Sequence, residues 1–396
     1  MSIPVLCTVL LSLSRGGSLG SSIQNFDDAF RMAGKRSIDA RAFEGWYGAD
    51  NLKNGSGLRS EDLRFIFALR SNAKKVAVVA DDGTWSTALV AAKDDLWTAG
   101  VTMKEGSGFR WHFEADGQRI GGGELEAYIT PKEGKPQPGV AAGSLKEQPS
   151  LRSEVYPGAS RKWWIYEPAT IDTSKSLCLL IVQDGQWSRG YWPVYLDNLI
   201  AQKDIPQMVA VFLEPGTITK NIDNRSVEYD TVSARYPEML EKELLPKLYA
   251  TYPNLRKDAN GHMITGLSSG GICSFNAAWQ RPDLFHKVLS WIGSYTNLQG
   301  GPTGVAGGNT YPAIIRDRRG WDRKGEPKPI RVFLQDGGND LDNKAGSWPL
   351  ANQDMARALA YGGYDYRFVM GNGFHSDKHG RVLIPEAMRW LWRDEK

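Results

Sequence analysis

Two patterns of apolar and polar positions divide the chain. Between residues 38 and 130 the apolar runs are short and strand-like, at 64–69, 75–80, 96–102 and 108–114, with turn signals such as Asp81-Asp82-Gly83 and Ala115-Asp116-Gly117 between them. Regularly spaced strands with no helical period between them predict a small β-sandwich over 38–130. From about residue 163 the pattern changes. Compact apolar runs at 163–168, 176–182, 208–213, 262–265, 287–293, 330–335 and 365–370 alternate with segments of helical period, including 238–248, where Pro246 is expected to kink or break the helix. Such alternation predicts an α/β domain over 151–396, a mostly parallel sheet with helices on both faces. The intervening 131–150, rich in Pro, Gly and Ala, reads as a linker.

One junction in the second region carries chemistry. The strand-like run that begins at His262 meets Gly266-Leu267-Ser268-Ser269-Gly270 and passes directly into a helical pattern from Ile272 to Trp279. A G-x-S-x-G between strand and helix is a nucleophile elbow, which holds the serine hydroxyl out of a turn too tight for side chains at the flanking glycines. A serine hydroxyl needs a base and an orienting acid, and in this architecture they follow in the order Ser, acid, His. Of the five histidines, His112 and His262 precede the serine, and His286 stands just before the next strand. His375 and His379 remain, on the loop after the strand 365–370. His375 is nearer the strand end, between Gly371-Gly373 and the closing helix, and is the expected base. His379 is expected to pack or cap that helix. The acid belongs after the strand 330–335, where Asp336, Asp340 and Asp342 compete. Asp340, beyond the Gly337-Gly338 turn, is best placed; Asp342 stands next. An oxyanion hole requires two backbone N–H groups. The expected donors are Ser269, after the nucleophile, and Gln186, in the Gly185 loop after the strand 176–182.

Five separated segments then carry a resemblance. Asp184-Gly185-Gln186-Trp187, Pro193-Val194, 196–200, 224–230 and 266–271 occur in an order that resembles the enterochelin esterase-like branch of the esterase D superfamily, over residues 155–396. Feruloyl and acetylxylan esterases, S-formylglutathione hydrolase and the mycolyltransferases are in the same superfamily. The resemblance implies an α/β-hydrolase fold, metal-free ester hydrolysis through an acyl-enzyme, and a Ser268–Asp340–His375 triad. It also likens the sandwich to the immunoglobulin-like modules that precede such catalytic domains. The expected function is therefore a serine carboxylic-ester hydrolase acting on a hydroxycinnamoyl or acetyl ester of a plant polysaccharide or a related aromatic ester. A catecholate-siderophore esterase and an acyltransferase are the alternatives.

Composition narrows the partners. With 48 basic and 45 acidic residues the net charge is +3, which gives no reason to expect nucleic acid or a membrane surface. The expected partner is an ester, free or attached to a polysaccharide. The 14 tryptophans are the compositional signal: Trp187, Trp192 and Trp348 fall near the catalytic loops and offer faces for a sugar or an aromatic ring. Asp184 and Arg225 are further substrate-binding candidates, Arg225 as a clamp for a carboxylate or phenolate, or else as part of a local ion-pair set with Glu228 and Asp230. Three cysteines make no disulfide framework, and Cys178 and Cys273 are expected as buried thiols. Metal-binding spacings such as His-Glu-x-x-His are absent, so no cofactor is expected. Residues 1–22 are read as a signal peptide, with an apolar run of about eleven residues, too short to span a bilayer, and Ser18 and Gly20 suiting cleavage. No Lys or Arg precedes the run. Secretion or a periplasmic location is the expectation, with a cytoplasmic chain as the alternative.

Overall fold

The eight-stranded sheet that occupies the second half of the chain is buried on both faces because its central strands are apolar without interruption. In the computed structural model, which describes residues 23–38, 40–219, 222–299 and 305–395, all six residues of Cys178–Gln183 and all six of Met208–Leu213 are buried. The expected signal peptide lies outside the described residues. We label the sheet strands in chain order: β1 Ser144–Glu147, β2 Trp163–Glu167, β3 Cys178–Gln183, β4 Met208–Leu213, β5 His262–Leu267, β6 Lys287–Trp291, β7 Arg331–Gly337 and β8 Asp365–Gly371. Their order across the sheet is 1-2-4-3-5-6-7-8. The pairs β1–β2 and β2–β4 are antiparallel and all others are parallel. This is the α/β-hydrolase arrangement.

The period of two along each strand sorts the core into two layers. Leu179, Ile181, Val209 and Val211 pack on one side with Ile272, Phe275, Met355 and Leu359. Leu180, Val182, Ala210 and Phe212 pack on the other with Tyr195, Leu196, Met388 and Leu391. The helices that supply these partners are α1 Trp192–Ala201, α2 Ser269–Gln280, α3 Trp348–Gly362 and α4 Lys378–Leu391. Cys178 and Cys273 are buried free thiols. Pro246 does not break its helix. The π-helical turn Leu240–Leu244 separates Arg235–Met239 from Leu245–Thr251, so the proline falls in the first turn of the last segment, where its missing N–H costs little.

The chain divides into two compact units. The first comprises Trp111–Gly123 and the described residues up to Thr102; the second comprises Met103–Arg110 and everything from Glu124 onward. The first unit contains two four-stranded antiparallel sheets. Phe67 of one sheet meets Trp111 of the other edge to face at 5.0 Å. The opposite face of the Phe67 sheet carries helices where the sequence reading has strands only: Ala40–Tyr47 and Ala49–Asn54, whose Phe43, Tyr47 and Leu52 pack on Ile66 and Ala68. They are short, and the second is bounded by Gly48 and Gly55, both at positive φ, so too few turns exist to show a helical period.

The segment 131–150 is more than a spacer. It holds the 3-10 turn Lys132–Gly134, whose Glu133 carbonyl accepts from Asn198 Nδ2 at 2.8 Å, and it contains strand β1. Its Pro and Gly content marks where regular structure is barred, not where contacts stop. Likewise Met103–Arg110 and 124–130, which fall in the N-terminal module by sequence, belong to the second unit.

Candidate active site

The turn from β5 into α2 forces Ser268 into a conformation rarely adopted by residues with a side chain, φ 57° and ψ −123°. The turn closes so tightly that a Cβ on Gly266 would stand 2.5 Å from the Gly270 carbonyl carbon and oxygen. The strain is held by the frame around it: Ser268 N–H donates to Trp291 O at 2.9 Å, and its carbonyl accepts from Gly271, Ile272 and Ser294. As a result Ser268 Oγ stands at the strand ends, where the loops after β3, β7 and β8 converge.

Three of the residues singled out by chain order are brought together there. His375 Nε2 lies 2.8 Å from Ser268 Oγ, and His375 Nδ1 lies 2.5 Å from Asp340 Oδ1. The Asp340 side chain is fully buried, and its Oδ1 also accepts the Leu341 N–H at 2.6 Å. Asp342 is exposed in the small hairpin that follows, and Asp336 is buried at the end of β7. His379 sits under the same loop, stacked on Tyr128 with ring centroids 4.7 Å apart and its Nδ1 3.1 Å from Gln335 Nε2. Burial pushes its pKa down to about 4, so it is neutral.

The two expected oxyanion donors differ. Ser269 opens α2, and its N–H, the first of the helix, has no intrahelical acceptor. The Gln186 N–H is occupied: it donates to Glu214 Oε1 at 2.6 Å. A substrate oxygen at that position has to displace the Glu214 carboxylate. Glu214 follows β4, beside the Gly185 loop, and nothing in the sequence marks it.

A cleft of about 1390 Å³ opens in front of Ser268 and His375, lined among others by Glu147, Lys162, Asp184, Trp187, Glu214 and Arg225. Trp187 is 78 % exposed, with its indole available at the rim. The other two tryptophans expected in the cleft are not there. Trp348 is 2 % exposed; its ring meets His375 edge to face, and its Nε1 lies 3.3 Å from Ser294 Oγ. Trp192 is buried and stacked on Trp291. Both rings are large apolar surfaces that fill the space below the loops, and sequence position alone does not separate a rim residue from one beneath it. Arg225 lines the cleft, and its ion-pair partner there is Asp184. It grips Asp184 through two hydrogen bonds of 2.8 Å, from Nε to Oδ1 and from Nη2 to Oδ2. Glu228 instead pairs with the buried Arg161, again through two bonds, at 2.8 and 3.1 Å.

Glu126 is the residue that sequence reading had no means to find. Its Oε1 accepts the Phe374 N–H at 3.0 Å and its Oε2 accepts the Ser376 hydroxyl at 2.6 Å, so one carboxylate holds both neighbours of His375. Asn339 Nδ2 ties the loop after β7 to Gly108 O at 3.0 Å and to Asn372 O at 2.9 Å. Among the described residues no cluster of His, Cys, Asp or Glu is placed to hold a metal ion, and no helix is long and apolar enough to cross a membrane.

With this geometry in view, the similarities to known proteins are specific. Residues 155–355 match the family model described as "Putative esterase". The chain is 25% identical over 237 residues to the iron(III) enterobactin esterase of Dickeya dadantii (strain 3937), covering 58% of this chain and 51% of that protein. It thus spans about half the length of that curated relative. Among solved structures, the enterobactin esterase of Shigella flexneri determined in the presence of enterobactin superposes with a TM-score of 0.59 at 18% identity, over 88% of this chain and 98% of that one. A ferulic acid esterase superposes with a TM-score of 0.52 at 18% identity, over 64% and 99%. At these identities the structural matches establish the shared fold.

Proposed function

Since the chain belongs to this family of carboxylic-ester hydrolases, we propose that it is a serine esterase that works through an acyl-enzyme on Ser268, and that its ester is of the catecholate-siderophore type. The observation that carries the reaction is the unbroken hydrogen-bond chain from Ser268 Oγ through His375 to Asp340. In this reading His375 Nε2 takes the Ser268 proton as Oγ attacks the ester carbonyl. The tetrahedral oxygen turns to the Ser269 N–H, and to the Gln186 N–H once Glu214 has moved aside. Asp340 faces the imidazolium and stabilises its charge. The proton then passes from Nε2 to the leaving alcohol, and a water activated by the same nitrogen releases the acid.

Support for the acyl group is of a different kind. The relative that is 25% identical is an enterobactin esterase, and the exposed Trp187 at the rim of a roomy cleft offers a stacking face for a catechol ring. The hydroxycinnamoyl esters have only a shared fold on their side. The test is a panel of catecholate-siderophore, feruloyl, acetyl-xylan and p-nitrophenyl esters, assayed with wild type and Ser268→Ala. We expect the catecholate ester to give the highest kcat/KM and Ser268→Ala to lose about 10⁶ in kcat. A fluorophosphonate probe should label Ser268. Activity retained in Ser268→Ala overturns the mechanism; a faster feruloyl or acetyl ester overturns the substrate class alone.

A further inference from the structure

Behind Asp340 stands a second carboxyl group. Asp336, the sixth residue of β7, is 0 % exposed, and its Oδ1 accepts the Gly337 N–H at 2.7 Å. Its Oδ2 is buried with no donor directed at it, and the same holds for Oδ2 of Asp340. The two carboxyl groups lie beside each other, close enough to share a hydrogen. Asn352 of α3 also lies against Asp336, but its Nδ2 already donates to Gly293 O at 2.9 Å and Trp348 O at 3.1 Å. Both of its amide hydrogens are thereby committed.

Two ionised carboxylates have no hydrogen to share, and buried side by side they repel. One of the pair must carry a proton. Asp340 is the acceptor of two hydrogen bonds at Oδ1, from His375 and from Leu341, and an ionised group suits that position. We propose that Asp336 is a neutral carboxylic acid whose O–H donates to Oδ2 of Asp340, making it a positioning residue for the carboxylate that faces His375. Burial first, and then the neighbouring Asp340 carboxylate as hydrogen-bond partner and charge, hold the Asp336 carboxyl well above the usual carboxylate range, which favours the protonated form. The arrangement satisfies the second oxygen of Asp340 from inside the fold. The carboxylate plane is then fixed with Oδ1 towards the imidazole, and no water is required behind it. The inference rests on the reading of Ser268, His375 and Asp340 as a triad.

Three variants and one spectrum test it. Asp336→Ala removes the donor and should lower kcat by about 10–100-fold with KM retained. Asp336→Asn keeps an N–H where the O–H was, and should recover most of that rate. Infrared difference spectra of the ¹³C-aspartate-labelled protein at neutral pH should show the carbonyl stretch of a protonated carboxylic acid, absent in Asp336→Asn. A wild-type rate in Asp336→Ala, an equal loss in Asp336→Asn, or a missing band overturns the inference. If Asp336→Ala does not fold, the wild-type and Asp336→Asn spectra still decide. Ser268→Ala, run in parallel, separates the two levels: inactive Ser268→Ala beside fully active Asp336→Ala overturns only the role of Asp336. Active Ser268→Ala overturns the triad and that role together.

Discussion

The indole of Trp348 meets the imidazole of His375 edge to face, with ring centroids 5.7 Å apart and planes at 83°. Trp348 is the first residue of α3, so a buried helix terminus sets the height and tilt of the ring that faces Ser268. Trp348→Ala should cost about 3–5 kcal/mol of stability through the cavity it leaves, and up to about 10²-fold in kcat as the imidazole loses its registration. Trp348→Phe keeps an aromatic edge and should lose much less of both. Steady-state kinetics and denaturant melts of the two variants check this; equal kinetic losses would mean that the indole N–H bond to Ser294 matters more than the ring contact.

Glu126 should behave as a support for the same histidine from the other side. Glu126→Ala frees the Phe374 N–H and the Ser376 hydroxyl together, and kcat should fall by about 10-fold or more with KM little changed. Glu126→Gln retains an acceptor for the Phe374 N–H, and its rate should fall between those of wild type and Glu126→Ala. A KM effect without a kcat effect would show that Glu126 shapes the cleft instead of the base.

For the acid, Asp340→Asn should lower kcat by about 10²–10⁴ and leave the fold intact, because an amide can neither hold the tautomer nor balance the imidazolium charge. Asp342, exposed in its hairpin, should tolerate Asn with a near wild-type rate. Rates measured side by side decide; a large loss in Asp342→Asn alone would mean that the hairpin rearranges on substrate binding.

His379 makes stability depend on pH. Its folded pKa, pushed down to about 4 by burial, lies below the ordinary value of about 6.5. Between these values the unfolded chain binds more protons than the folded one. The contribution is therefore fully present above about pH 6.5 and is lost as pH falls through 4, by roughly 3 kcal/mol. Urea unfolding at about pH 7 and pH 5 should show a smaller loss for His379→Gln than for wild type. Identical losses would show that His379 titrates alike in the folded and unfolded chain.

Chain order and loop position were enough to single out Ser268, His375 and Asp340, three side chains that the fold brings into one hydrogen-bonded chain, because an elbow serine, a strand-end acid and a late histidine each need a recognisable local setting. The sheet was legible for a related reason: strands buried on both faces leave continuous apolar runs, as at 178–182 in β3. What was not legible depends on depth and on distance along the chain. Trp187 and Trp348 look alike in sequence, yet one lies at the rim and the other beneath His375. Glu126 is about 250 positions from the loop it holds, and Glu214 reaches Gln186 across neighbouring strands; neither bond leaves a local pattern. The short helices at 40–54 carry too few turns to declare a period.

The division of the chain bears on how the hydrolase can be isolated. Sequence places the cut within 131–150, but β1 at Ser144–Glu147, Glu126 beside the His375 loop, and the Gly106 and Gly108 carbonyls that receive Asn372 and Asn339 all come before residue 151 and belong to the second unit. That unit is discontinuous: its polypeptide leaves at Arg110 and returns at Glu124. No single cleavage point frees it whole. A fragment beginning at residue 151 keeps Ser268, Asp340 and His375 in its sequence but lacks the edge strand β1 and the carboxylate that holds the histidine loop, so shortening or shuffling this protein by linear segments separates these three side chains from part of their scaffold.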